Sequence, residues 1–197
     1  KVGGFLIKKE ISYFSQVLHQ PKRPFLSILG GAKVSDKIKL IDNLLDKVNL
    51  MIIGGGMAFT FLHTLNNMAI GSSLFDAEGA TIVNKIMAKA KKNKVEIYLP
   101  CDFVIADSFN DKANINCVTL EQGIPENWMG LDIGPKTTTN FCNIISKSQM
   151  IVWNGPMGVC EMKPFANGTK GLLQACVEVK KNNAITIIGG GDTATAV

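Results

Sequence analysis

A chain of 197 residues with 46% hydrophobic content is long enough to bury the core of one domain. Its net charge of +5 comes from scattered lysines and a single arginine, Arg23, not from the clustered cations and aromatic platforms of a nucleic-acid binder. No apolar run reaches the roughly 18–20 residues of a membrane helix, and the five cysteines (Cys101, Cys117, Cys142, Cys160, Cys176) form no Cys-x-x-Cys, so they read as buried reduced thiols of a cytoplasmic protein, not as a zinc site.

Lys8 to Gln20 reads as an amphipathic helix, with Ile11, Phe14, Val17 and Leu18 on one stripe. Pro21-Lys22-Arg23-Pro24 breaks it and leads into a strand over Phe25–Leu29. A helix over Val34–Leu45, a strand over Asn49–Ile53 and a helix from Met57 follow. Asn66 to Phe75 is expected to be irregular, Glu78–Lys92 helical, and Val95–Leu99 a strand closed by Pro100. Asp102–Ala106 and Asn116–Leu120 are expected to pair as a ribbon across an Asn110-Asp111 turn. Gly123–Pro135 reads as a loop, Lys136–Ser146 as a helix and Met150–Trp153 as a strand. Phe165–Lys180 is the last complete helix, before a strand over Ala184–Ile188. The chain then stops at Val197 inside what reads as a new helix, so both ends are expected to be boundaries within a longer protein, and the lack of a leader is uninformative. Strands with near-continuous apolar sequence alternating with helices predict an α/β fold, a Rossmann-like three-layer sandwich around a mainly parallel sheet.

Three of these strands run directly into glycine-rich turns: Gly30-Gly31-Ala32-Lys33, Gly54-Gly55-Gly56 and Gly189-Gly190-Gly191-Asp192-Thr193. The carboxyl ends of parallel strands share one sheet edge, where glycines admit a ligand to the backbone and free amides suit phosphate oxygens. Three such turns on one edge predict a nucleotide site. With a helix beginning near Val34, Lys33 would sit at its mouth and Lys37 one turn along on the same side, both aimed at an anion. Asp192 serves either as a helix cap or, beside phosphates, as a Mg²⁺ ligand, and Thr193 offers a hydroxyl. Glu161, beyond the bend Asn154-Gly155-Pro156-Met157, is placed to accept hydrogen bonds from a ribose. Leu131, next to Gly130, is placed to cover an adenine, with Leu74 and Met157 as further apolar candidates. No Gly-x-x-x-x-Gly-Lys-Ser/Thr occurs, and Phe59 stands where a dinucleotide-binding turn would put its third glycine.

Taken together, these segments resemble the phosphoglycerate kinase family. The resemblance rests on Gly30-Gly31-Ala32-Lys33-Val34-Ser35-Asp36-Lys37-Ile38, Gly54-Gly55-Gly56-Met57-Ala58-Phe59-Thr60-Phe61, Leu131-Asp132-Ile133-Gly134-Pro135, Trp153-Asn154-Gly155-Pro156-Met157-Gly158-Val159 and Gly189-Gly190-Gly191-Asp192-Thr193. It implies reversible phosphoryl transfer from 1,3-bisphosphoglycerate to ADP, giving 3-phosphoglycerate and ATP with Mg²⁺. By this matching Lys33, Gly190 and Gly191 are catalytic, with Lys33 stabilising the group in flight. Lys37 would hold nucleotide phosphates, Gly190, Gly191, Asp192 and Thr193 would take the phosphates and metal, with Asp36 sharing the metal when ADP is bound, and Asn154, Gly155 and the ribose-binding Glu161 would complete the nucleotide site. Gly31, Ala32, Gly55, Gly56, Leu74, Gly130 and Leu131 would form the adenine pocket.

Cys160 replaces the phenylalanine that the family commonly places before its ribose-binding glutamate. The resemblance covers the C-terminal, nucleotide-binding domain, residues 1–197, with 1–20 on the interdomain side. It implies that phosphoglycerate is bound by the N-terminal domain, that the chain is inactive alone, and that the enzyme is a cytoplasmic monomer without nucleic-acid or membrane partners. Two alternatives stand beside it: an NAD-dependent dehydrogenase-type domain, and a regulatory nucleotide-binding module without catalysis.

Overall fold

The computed structural model describes residues 21–190; the helix expected over Lys8–Gln20 and the residues Gly191, Asp192 and Thr193 lie outside this range. The described elements are β1 (Phe25–Leu29), α1 (Ile38–Leu45), β2 (Leu50–Ile53), α2 (Met57–Asn66), α3 (Ala77–Lys92), β3 (Glu96–Tyr98), β4 (Asp102–Ala106), β5 (Ile115–Thr119), β6 (Met129–Ile133), α4 (Pro135–Ser146), β7 (Met150–Asn154), α5 (Asn167–Lys181) and β8 (Ile185–Gly189).

β1 is buried along its whole length, which a sequence of Phe, Leu, Ser, Ile and Leu permits only when helices cover both faces. Its side chains alternate as a strand requires. Phe25 and Leu29 join Ile41 and Leu45 of α1 and Val83 and Ile86 of α3 on one side. Leu26 and Ile28 join Phe141 and Ile145 of α4 and Leu172 and Val179 of α5 on the other. Each fully buried side chain of this size contributes roughly 1.5–3 kcal/mol, so the two clusters are the main source of stability. The result is the expected three-layer sandwich.

The main sheet has the order β3-β2-β1-β7-β8, and every pairing in it is parallel. From β1 the chain moves outward to β2, and from β7 it moves outward the other way to β8. The crevice between the carboxyl ends of β1 and β7 is therefore a topological switch point, where ligands of open α/β sheets bind.

A second, antiparallel sheet of order β5-β4-β6 contains the expected ribbon. It also contains β6, which corrects the reading of Gly123–Pro135 as a loop. Met129, Leu131 and Ile133 do alternate, but Gly130 and Asp132 between them obscure the pattern. Gly130 is tolerated there because a Cβ would stand 2.2 Å from the ring of Phe59, which fills its place. Asp132 is buried because its carboxylate accepts the Gly168 N–H at 2.8 Å. α2 lies between the two sheets, giving Met57 and Phe61 to one core and Phe59 and Leu62 to another. That position explains why its sequence is apolar nearly all round.

Candidate functional site

At the switch point the first glycine turn is stitched to the β7 turn by Gly30 N–H to Asn154 O at 3.0 Å and Gly31 N–H to Pro156 O at 3.2 Å. The second turn is stitched to the first by Met57 N–H to Gly31 O at 3.0 Å. These bonds open a cleft of about 360 Å³, walled on its far side by β6. Gly31, Ala32, Gly55, Gly56, Leu74, Gly130, Leu131, Met157 and Glu161 all line it, so the residues expected around a base and its ribose come together. Gly31 has φ +101 and nothing nearer than the Lys37 side chain, at 3.4 Å, to the place of its missing Cβ. It keeps the mouth of the cleft open where a side chain would intrude.

The phosphate-side residues sit next to this cleft, on its flank. Lys37 is half-buried, and its Nζ donates to both the backbone and the side-chain oxygen of Asn154. Lys33 and Asp36 are exposed on the same turn. The helix expected from Val34 starts at Ile38, after a 3₁₀ turn over Ser35–Lys37. Lys33 therefore stands on the lead-in to the helix, not at its mouth. The physical reason lies at Lys37, whose N–H bonds Val34 O at 2.9 Å in the 3₁₀ manner and whose φ of −116 and ψ of 5 interrupt the helical path before Ile38. Gly155, with φ +95, is buried beneath the crevice, and Gly190 is exposed at the end of β8.

An apolar slot of this size, with a carboxylate on its rim and ammonium and amide groups beside it, suits a flat aromatic base carrying a phosphorylated sugar. Among the described residues no group of three His, Cys, Asp or Glu side chains is arranged to hold a metal ion. Asp36 is the carboxylate that the described part of the lysine turn offers, which fits a cation shared with phosphate oxygens better than an all-protein cage.

Sequence reading missed several lining residues: Phe59, Ser72, Ser73, Phe103, Phe109 and Val159. Phe109 carried one signal, a large aromatic in an otherwise polar turn, and it is 61% exposed at the cleft mouth. The serines and Phe103 carried none, because strand and loop packing alone brings them there.

Asp132 lines the inner wall, and burial pushes its carboxyl up to about 7, against the opposing pull of the Gly168, Ile133 and Asn167 N–H groups. The native state thus keeps a proton that the unfolded chain releases near 3.8. Its contribution to stability therefore falls as pH rises from about 4 to about 7 and is fully lost above that. Against an Asp132→Asn variant, which cannot titrate, the wild type should lose about 3 kcal/mol between about pH 5 and about pH 8. Urea midpoints at the two pH values measure this, and parallel pH dependences of the two proteins would contradict it.

Comparison with known proteins places these features in context. The phosphoglycerate kinase family model matches residues 1–197. The phosphoglycerate kinase of Schizosaccharomyces pombe is 60% identical over 195 residues, 99% of this chain and 47% of that protein. That of Plasmodium falciparum is 60% identical over 197 residues, 100% of this chain and 47% of that protein. Among solved structures, phosphoglycerate kinase from Coxiella burnetii superposes with a TM-score of 0.91 at 37% identity, covering 98% of this chain and 48% of that one. The Pyrococcus horikoshii enzyme gives a TM-score of 0.73 at 26% identity, covering 98% and 53%. The chain spans about half the length of the curated relatives it matches.

Proposed function

The chain belongs to the phosphoglycerate kinase family, and on that premise we propose that it supplies the nucleotide half of a two-domain enzyme. That enzyme moves a phosphoryl group reversibly between 1,3-bisphosphoglycerate and ADP, giving 3-phosphoglycerate and ATP. The observation that carries the reading is the juxtaposition of the apolar slot with the Lys33–Lys37 turn at the switch point of the sheet.

The base would lie in the slot among Gly56, Leu74, Leu131 and Met157, with Glu161 at the ribose. Lys37, Asn154, Gly155 and Gly190, with Gly191 and Thr193, would take the phosphates, leaving Lys33 for the group in flight. Phosphoryl transfer asks a protein mainly for positioning and charge neutralisation, since the charge spreads over the equatorial oxygens of the moving group. Mg²⁺, held by Asp192 with Asp36 as a second carboxylate, would add its charge to that of the lysines. Closure of two domains around the transfer site would exclude water.

The division of labour follows from where the arginine is. A phosphoglycerate site favours guanidinium groups, which match phosphate bidentately. Arg23, the single arginine in the sequence, bonds Asn49 Oδ1 at 2.8 Å just before β2, at the amino end of the sheet and away from the cleft. The acid substrate therefore belongs to the N-terminal domain, and residues 1–197 to the nucleotide. We also infer a cytoplasmic monomer with neither nucleic-acid nor membrane partners. The odd number and wide spacing of the cysteines support a reducing compartment, although of the five only Cys176 is buried as expected and Cys117 is exposed, and no described helix is long and apolar enough to cross a membrane.

The dehydrogenase alternative finds no support: the family match is to a kinase, and Phe59 fills the space beside Gly130 in the cleft. Calorimetric titration of the purified chain should show saturable binding of MgADP and MgATP and none of NAD, whereas silence toward MgADP at millimolar concentration would sink the reading. A regulatory module would bind equally well but give no turnover in the two-domain protein, so a coupled kinase assay separates the two.

A further inference from the structure

Asp76 lies outside the cleft and outside every motif that the sequence singles out. It stands directly before α3, and its Oδ1 accepts the Gly79 N–H at 3.0 Å, as a helix cap does. A cap needs only one oxygen. The other, Oδ2, reaches a residue 41 positions earlier and accepts the Ser35 N–H at 2.8 Å. The N–H of Asp76 itself donates to Thr60 Oγ1 on α2 at 3.0 Å, and both residues are buried. Ser35 sits midway between Lys33 and Lys37, so one residue fixes the lysine turn to two helices, to α3 through its carboxylate and to α2 through its backbone N–H.

The same segment also reaches the opposite wall. The Ser72 N–H donates to Trp128 O at 2.8 Å, and Ser73 Oγ accepts the Gly130 N–H at 2.9 Å. Leu74, between these contacts and Asp76, lines the cleft against Gly56. Residues 72–76 therefore tie the β6 wall of the base slot to the turn that carries both lysines.

We propose that Asp76 is a positioning residue for phosphoryl transfer: by holding the Ser35 N–H it sets where the Lys33 ammonium stands relative to the cleft. This rests on the reading of Lys33 given above. The first N–H groups of a 3₁₀ turn have no partner within it, so this one needs an acceptor from outside. A carboxylate makes a stronger and shorter bond than a neutral acceptor. Burial alone would raise the Asp76 pKa, but the Ser35 and Gly79 N–H groups, the Ser35 hydroxyl and the charge of Lys33 together hold it below the usual carboxylate range. It stays charged, and the bond stays made, across the neutral range.

Gly79 supplies an independent handle. A Cβ there would stand 2.5 Å from Asp76 Oδ2 and 2.6 Å from Val34 Cβ, forcing carboxylate and turn apart. This variant displaces the Asp76 carboxylate from the lysine turn while leaving its charge in place, which Asp76→Asn does not.

The test compares Asp76→Asn and Gly79→Ala in the two-domain enzyme. Both should lower kcat by about 10- to 100-fold, as a displaced catalytic group does. KM for MgADP should stay within about threefold, because Lys37 keeps its own anchor on Asn154 and the Ser73 contact still holds the slot wall. Amide hydrogen exchange at Ser35 should speed up by about tenfold or more in Asp76→Asn. If both variants keep the wild-type kcat while melting earlier, or lose kcat with Ser35 exchange unchanged, the positioning role is overturned. A wild-type enzyme that transfers no phosphoryl group defeats the functional reading, and the positioning role with it. A wild type that turns over beside unimpaired variants defeats the positioning role alone.

Discussion

Replacing Lys33 by alanine in the two-domain enzyme should cut turnover by about 100- to 1,000-fold, the range seen when one preorganised charge-stabilising group is removed. Lys33 is exposed on the turn that flanks the cleft, where its ammonium is accessible to a phosphoryl group leaving the nucleotide. Its charge matters most when negative charge spreads over the equatorial oxygens, so the loss should fall on kcat. Affinity for MgADP should change little, because the apolar slot and Lys37 at Asn154 remain. The isolated chain should show no turnover with or without Lys33, since it offers no second arginine for an acidic phosphoglycerate. A coupled assay on the chain, the two-domain enzyme and its Lys33→Ala variant decides this. Substantial turnover by the chain alone would place the second substrate site within these residues.

Gly155→Ala should be among the most destabilising substitutions, costing about 3 kcal/mol or more. Its φ of +95 is one that L side chains rarely adopt, and a Cβ would stand 2.3 Å from the backbone oxygen of Gly30. The contact is mutual: a Cβ on Gly30 would stand 2.0 Å from Pro156 O. Both obstacles are backbone, held by the Gly30 to Asn154 and Gly31 to Pro156 hydrogen bonds, so neither swings aside as a side chain would. At roughly 2–4 °C per kcal/mol for a domain of this size, Tm should fall by about 10 °C. Gly189→Ala is the matched control, because its nearest contact would be Asn154 Nδ2 at an ordinary 3.8 Å. Equal melting temperatures for the two variants would show that the crevice floor is looser than the hydrogen bonds indicate.

These two sites also mark where sequence reasoning succeeds and where it stops. Strands such as β1 and β7 were legible because both faces are covered and all but one residue of each is apolar. The cleft residues were legible because glycine turns after such strands have few other uses on a shared edge. β6 was not, since its glycine and aspartate are satisfied by Phe59 and by the Gly168 N–H, partners distant in sequence. The delayed start of α1 was hidden as well, because the break falls at Lys37, whose side chain reaches Asn154, a partner 117 positions on. Local pattern reveals what local chemistry enforces; a buried carboxylate reaching another element leaves no periodic trace.

The central claim is that the crevice between β1 and β7 is the nucleotide site of a phosphoglycerate kinase. Titrating the ¹⁵N-labelled chain with MgADP while following its amide resonances tests it most directly. The largest saturable shifts should fall on Gly31, Gly55, Gly56, Gly130 and Leu131, with Arg23 and Asn49 at the opposite edge of the sheet unmoved. Shifts centred on that opposite edge, or none at millimolar MgADP in a folded chain, would contradict it.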